Sequence, residues 1–153
     1  MNKIIYLSIS LFFFCNAYSE SYVKAEDSLI WDSGDKSYTA SGEVEFKNDK
    51  FIAFSDKMIA KYIEENNKEV FTIVELFENV VIEFKDEIFR GNYAIYTRDN
   101  NIIKLIGDVS IKSPTRLLTG YELIADIDNN KRILNSADNE SLVEVLLDDN
   151  ANN

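Results

Sequence analysis

The chain has no histidine, one cysteine, one proline and only five glycines in 153 residues. Without histidine it lacks the commonest general base and the commonest zinc ligand. No Ser-His-Asp or Cys-His arrangement can be assembled. The lone cysteine, Cys15, lies in an early apolar run, so no intrachain disulfide can form and stability must come from the core and hydrogen bonding. No glycine-rich loop of the phosphate-cradling kind is present. Basic residues are also scarce, 16 Lys and Arg against 27 Asp and Glu, for a formal charge of −11. That acidic balance argues against nucleic acid as a partner, since phosphates are held by Lys and Arg clusters. What is abundant is apolar and aromatic: 46% hydrophobic residues, with 10 Phe and 8 Tyr. This is enough to bury a core and too much for a disordered chain.

The N-terminus reads as a leader. Lys3 precedes an uncharged run from Ile4 to Phe14, and Ala17 and Ser19 supply the small residues of a cleavage site. This is the layout of a secretory signal peptide over residues 1–19, and the run is too short for the ~20 residues of a spanning helix. Phe12, Phe13 and Phe14 in front of Cys15 disfavour a lipoprotein signal. No second long apolar run follows, so the expected product is an exported, soluble domain over residues 20–147. Residues 148–153 form an acidic tail, expected to be disordered, and export without disulfides suits a bacterial periplasm.

The remainder repeats. Phe77-Glu78-Asn79-Val80-Val81-Ile82 recurs as Ile106-Gly107-Asp108-Val109-Ser110-Ile111, with Gly91 and Ile95 recurring as Gly120 and Ile124 at the same offset. An earlier copy holds Gly42-Glu43-Val44-Glu45-Phe46 and Ile59, and a partial one opens with Ile30-Trp31. Each unit reads as two strands: alternating, rich in β-branched and aromatic residues, and broken by Asn/Asp-rich corners such as Asn48-Asp49-Lys50, Lys85-Asp86-Glu87 and Asp99-Asn100-Asn101. Only residues 56–66 leave room for a helix. The fold expected is all-β and antiparallel, built from repeated two-strand units.

Stacking the copies assigns faces. Val44/Val80/Val109 and Phe46/Ile82/Ile111 are always apolar and are expected to face inward, with Glu45/Val81/Ser110 and Lys47/Glu83/Lys112 outward. Ile59/Ile95/Ile124, joined by Ile30, are expected to form a third inward layer.

These repeats resemble a known family. Ala40-Ser41-Gly42-Glu43-Val44-Glu45-Phe46 and Leu105-Ile106-Gly107-Asp108-Val109-Ser110-Ile111 look like its repeated strand. Phe54 to Ala60 and Thr119 to Ala125 look like the strand that follows it. The family is OstA/LptA, of lipopolysaccharide export, and the resemblance runs from about Tyr22 to Leu147. It implies a twisted β-jellyroll, open at both ends, whose apolar interior shelters acyl chains of lipopolysaccharide or a related glycolipid. On that reading the interior, and with it the lipid-binding surface, comprises Val44, Phe46, Ile59, Val80, Ile82, Ile95, Val109, Ile111 and Ile124. The resemblance also implies an LptC-like inner-membrane partner, an LptD-like outer-membrane partner and head-to-tail association of protomers. The middle copy departs from the pattern, with Glu78-Asn79-Val80 in place of Gly-Asp-Val.

Catalysis has little to stand on, and neither cofactor nor metal is expected. Asp86, Glu87, Asp99 and Asp128 read as solvated corners rather than an acid/base pair. Asp126-Ile127-Asp128-Asn129 reads as a turn rather than a calcium loop. The alternatives to a lipid carrier are an LptC-like relay and a β-repeat scaffold whose interior is filled by side chains. The first strand, about Ser28 to Trp31, and the last, about Leu142 to Leu147, are apolar and lack proline. Leu29, Ile30 and Trp31 at one end and Leu142, Val143 and Val145 at the other therefore mark edges suited to strand addition.

Overall fold

The computed structural model describes residues 20–138 and 141–148. The expected leader, residues 1–19, and nearly all of the expected tail lie outside them. The described residues contain ten strands and no helix. Four are short: β1 (Tyr22–Lys24), β2 (Ser28–Asp32), β9 (Lys131–Asn135) and β10 (Glu144–Leu147). Six are long: β3 (Ser37–Lys47), β4 (Ile52–Glu65), β5 (Lys68–Phe84), β6 (Glu87–Thr97), β7 (Ile102–Ser113) and β8 (Arg116–Asp126). Residues 56–66, open to either reading in sequence, are strand β4 and its turn.

The long strands pair antiparallel in chain order, and the sheet does not close. The hairpin corners are the polar breaks expected from sequence. At Asn66-Asn67 both residues have positive φ, 52° and 59°, which is the geometry of a tight hairpin turn. The additional residues of the first full repeat lengthen β4 and β5 into this hairpin.

Each long strand bends in the middle, and the bends are what the repeated motif encodes. Gly42-Glu43, Glu78-Asn79 and Gly107-Asp108 all have left-handed backbone, with φ between 42° and 84°. At each, the pairing register shifts, and two residues on β3, β5 or β7 oppose a single residue on the next strand: Asp56, Asn92 or Tyr121. These are β-bulges stacked in line, and they turn the sheet through a shared corner. Glycine is needed at positions 42 and 107 for two reasons. The backbone is left-handed, and an added Cβ would strike the Asp27 side chain at 42, or lie 2.8 Å from Asn92 Nδ2 at 107. The motif is thus a corner inside a continuous strand, not a turn leading into a new one.

The corners divide the sheet into two wings, facing each other as an open jellyroll. Wing A holds the later halves of β3, β5 and β7 and the earlier halves of β4, β6 and β8, edged by β1 and β10. Wing B holds the other halves, edged by β2 and β9. On wing A one inward row runs Val23, Phe46, Ala53, Ile82, Phe89, Ile111, Leu118, Val145. On wing B another runs Leu29, Ala40, Met58, Leu76, Ala94, Leu105, Leu123, Leu134. The central members of both rows are buried and form one core.

Val44, Phe46, Val80, Ile82, Val109 and Ile111 all lie in that core. Their alternates Glu45, Val81, Ser110, Lys47, Glu83 and Lys112 sit on the other face, half-buried or exposed. The third layer is corrected. Ile59, Ile95 and Ile124 do share a row with Ile30, but on the outer face of wing B, together with Glu75 and Lys104. The bulge explains the reversal. The even-numbered strands switch phase at the corner, so β6 buries Phe89 and Gly91 before it but Ala94 and Tyr96 after it. A one-residue slip sends every later side chain to the opposite face.

Candidate functional site

A cleft of about 1210 Å³ opens between the wings at the end of the sheet carrying β1 and β2. Its apolar lining is contributed by Val23, Leu29, Tyr38, Phe46, Val70, Phe71 and Tyr96, and its mouth is charged, with Asp49, Lys50, Glu69 and Arg98 among the rim residues. The hairpin Asn48-Asp49-Lys50 is shaped by Asn48, whose Oδ1 accepts from the backbone N–H of Lys50 and Phe51, both at 2.9 Å. That turn delivers Phe51 into the core.

Aromatic rings run from the cleft into the interior without a break. Tyr38 meets Phe71 at 5.7 Å between centroids, Phe71 meets Phe46 at 5.6 Å, Phe46 meets Phe51 at 5.8 Å and Phe51 meets Tyr96 at 5.0 Å. The tilted and edge-on geometries suit ring quadrupoles. Phe46 to Phe71 and Phe51 to Tyr96 are contacts between the wings.

The hydroxyls along this seam are kept neutral. Tyr38 donates to Glu69 Oε2 at 2.6 Å, and that carboxylate, aided by partial burial, pushes its pKa up to about 12. Burial, reinforced by Asp49, raises Tyr96 to about 12 as well, and its hydroxyl donates to Asn101 Oδ1 at 2.8 Å. The cleft therefore presents rings and hydroxyl dipoles but no tyrosinate at physiological pH. Trp31, on β2, donates its indole N–H to Tyr62 Oη at 2.8 Å and is 59% exposed.

Beyond the cleft the interior is filled. Val44, Val80, Ile82, Val109 and Ile111 are buried against other side chains, and of the nine interior residues expected from sequence only Phe46 lines the cleft. Sequence reasoning missed the inner face of wing B, namely Met58, Ala60, Val74, Leu76, Ala94, Tyr96, Ile103, Leu105, Leu123 and Ala125. The available signal was in the odd-numbered strands. Glu75 and Lys104 share the row of Ile59, Ile95 and Ile124, and two charges in one row mark an outer face.

The lips of the wings are joined by polar contacts. Lys50 Nζ meets Asp128 Oδ1 at 2.9 Å, and Asn101 donates to Asp128 Oδ2 at 2.7 Å. These partners, Lys50 first, hold the Asp128 carboxyl below its ordinary value. Asp126 accepts from the backbone and side-chain amides of Asn129, at 3.0 and 2.8 Å, which closes the turn. Asp86 and Asp99 are exposed corners as expected, but Glu87 is not: its side chain is 12% exposed and bonded to Arg132. Arg132, on the inward face of β9, had given no signal.

Both edges of the sheet carry exposed apolar side chains. Leu29, Ile30 and Trp31 lie on β2, and Val145 on β10. Leu142 and Val143 precede β10, which begins at Glu144, so the expected last strand is shorter than read. The cause is pairing: residues 144–147 match residues 116–119 of β8, and the segment before them has no partner strand. Two further edge strands, β1 and β9, share the work, so each edge is a pair of short strands, one per wing.

Comparison with known proteins agrees with this geometry. Residues 22–131 match the family model described as LptA/(LptD N-terminal domain) LPS transport protein. The fold matches the crystal structure of LptH from Pseudomonas aeruginosa, described as the LptA-homologous periplasmic component of the lipopolysaccharide transport device. The TM-score is 0.72 at 13% identity, over 85% of this chain and 96% of that one. No curated protein sequence matches.

Proposed function

This chain belongs to the family of LptA and LptD N-terminal domains, the lipopolysaccharide transport proteins, and from that premise we propose that it carries the acyl chains of a lipopolysaccharide-type glycolipid between its wings. The observation that carries the reading is the aromatic cleft of about 1210 Å³, continuous with the apolar core. It is larger than the roughly 300–1,000 Å³ of ordinary small-molecule pockets. It needs no specific polar contact to hold a hydrocarbon chain, because each sheltered methylene contributes about 0.8 kcal/mol. Sugars and phosphates stay outside, at a charged rim on a protein of net charge −11, whose repulsion favours release and weakens capture at low salt.

The setting follows from the same reading. The leader-like N-terminus, the lack of disulfides and the periplasmic location stated for LptH support a periplasmic protein. At the ends of the sheet, β2 with Leu29, Ile30 and Trp31, and β10 with Val145, supply backbone edges for strand addition. They would join an LptC-like partner, an LptD-like partner or a second copy in a head-to-tail array, an open-ended contact that does not close into a ring.

The filled interior favours a second reading, a β-repeat scaffold without cargo. A neutral apolar dye, N-phenyl-1-naphthylamine, separates the two. A carrier takes up the dye and releases it to rough lipopolysaccharide. Phe71→Asp, in the cleft, abolishes uptake, while Glu83→Lys on the outer face leaves it unchanged. A scaffold binds neither probe, and equal uptake by both variants would place binding outside the cleft.

A further inference from the structure

The inner face of wing B ends on a cation. Its second inward row runs Trp31, Tyr38, Ala60, Val74, Tyr96, Ile103, Ala125 and then Arg132. The Arg132 guanidinium crosses to the other wing. Its Nε and Nη2 donate to Glu87 Oε2 at 3.0 and 2.8 Å, and its Cζ stands 5.1 Å from the Phe84 ring and 5.2 Å from the Phe89 ring. Nη1 donates to the carbonyls of Asp126 and Lys131, each at 3.1 Å, fixing the head in place. Glu87 is the first residue of β6, on the lip of wing A, and Arg116 stands 3.9 Å from its other oxygen. With both side chains 12% exposed, this is the most buried ion pair among the described residues.

We propose that Arg132 and Glu87 form a latch that keeps the C-terminal end of the interior shut while the N-terminal cleft stands open, so that acyl chains enter at β1 and β2 and advance only when the latch parts. The inference rests on the carrier reading for its purpose but not for its geometry. Three features support it. The interior beyond the cleft has no spare room, so a chain can advance only if the wings separate. The pair bridges the wings at the β9 edge, where the guanidinium fills the space between Glu87 and the Phe84 and Phe89 rings. A buried ion pair adds little net stability, because desolvation offsets its attraction. A pair at a lip, however, regains water on opening, so parting it sacrifices little apolar packing. Ordinary core residues at positions 87 and 132 would hold the wings shut more tightly and could not be released this way.

The test uses the full chain in a Cys15→Ser background, with nitroxide labels at Asp86→Cys on the lip of wing A and Lys131→Cys on the lip of wing B. A second label pair, Asp86→Cys and Lys112→Cys, lies within wing A. In the parent the lip distance is short and narrowly distributed, and rough lipopolysaccharide lengthens it. Arg132→Gln and the shape-preserving Glu87→Gln each lengthen and broaden it without ligand, while the distance within wing A is unchanged. If the open state rises from about 1% to about 10% of molecules, a longer lip distance gains that share of the distribution, while dye uptake in the already open cleft is unchanged. Lip distances in both variants matching the parent would overturn the latch. Should the parent bind neither dye nor lipopolysaccharide, the carrier reading fails, and the lip distances in the two variants still decide whether the pair holds the wings.

Discussion

The phase switch at the corners makes a sharp prediction about two isoleucines. Ile82 lies before the corner as seen from the β5–β6 hairpin and is buried in wing A, whereas Ile95 lies beyond it on the outer face of wing B, half-buried between Glu75 and Lys104. Truncating Ile82 to alanine removes buried methylenes between Ala53 and Phe89 and leaves a cavity, at a cost of about 2–5 kcal/mol. Truncating Ile95 exposes no cavity and forfeits only a cross-strand contact, about 0.2–1 kcal/mol. With a urea m-value of about 2 kcal/mol/M, a loss of about 3 kcal/mol lowers the unfolding midpoint by roughly 1.5 M, and a loss of about 0.5 kcal/mol lowers it by roughly 0.25 M. The neighbouring pair sharpens the contrast, because Ala94→Asp buries a carboxylate in the core and should prevent folding, while Ile95→Asp places it on the outer face between Lys104 and Glu75, opposite charges that offset each other, and should be tolerated. Equal midpoint shifts for Ile82→Ala and Ile95→Ala, or a tolerated Ala94→Asp with a ruinous Ile95→Asp, would refute the phase switch.

Other expectations follow from the corners and the titrating groups. Glu78 occupies the corner position held elsewhere by Gly42 and Gly107 with φ of 64°, so Glu78→Gly should relieve left-handed strain and raise stability by about 0.5–1 kcal/mol, read as a higher urea midpoint. Gly107→Val should do the reverse, lowering it by about 1–3 kcal/mol through strain and the collision with Asn92. Asp128 is held below its ordinary value of 3.8, chiefly by Lys50, so its contribution is present above that value and is lost as the pH falls through the lower folded value. Asp128→Asn should therefore flatten the stability profile below about pH 4, measured by urea midpoints across that range. Tyr38, Tyr93 and Tyr96, all raised to about 12, favour the folded state fully below 10 and lose that contribution as the pH rises from 10 towards 12. An ultraviolet titration of the native protein should show them ionising late, with one fewer in Tyr38→Phe.

The sequence carried the repeat, the strands and the hairpin corners, because Asn/Asp-rich turns and alternation are local signals. It also placed wing A's core correctly through Val44, Phe46, Val80, Ile82, Val109 and Ile111, where one face is consistently apolar and the other, Val81 apart, polar. Wing B was misread because its strands are apolar on both faces: Met58-Ile59-Ala60 and Ala94-Ile95-Tyr96 alternate equally well in either phase. Only the bulge, a pairing property of two strands together, decides between them. The cleft was hidden for a related reason. Tyr38, Phe51, Phe71 and Tyr96 are far apart in sequence and converge only when the wings face each other. Glu87 looked like a solvated turn residue because its partner, Arg132, comes from the edge strand of the opposite wing.

Whether hydrocarbon chains lie between the wings can be read by site-specific photocrosslinking. A benzophenone side chain is placed singly at Tyr38 and Phe71 on the inner seam and at Ile95 and Ile124 on the outer face of wing B, and each protein is irradiated with rough lipopolysaccharide. Lipopolysaccharide adducts are expected from Tyr38 and Phe71, and none above background from Ile95 and Ile124. Adducts of equal yield from both faces, or from the outer face alone, would contradict a site between the wings.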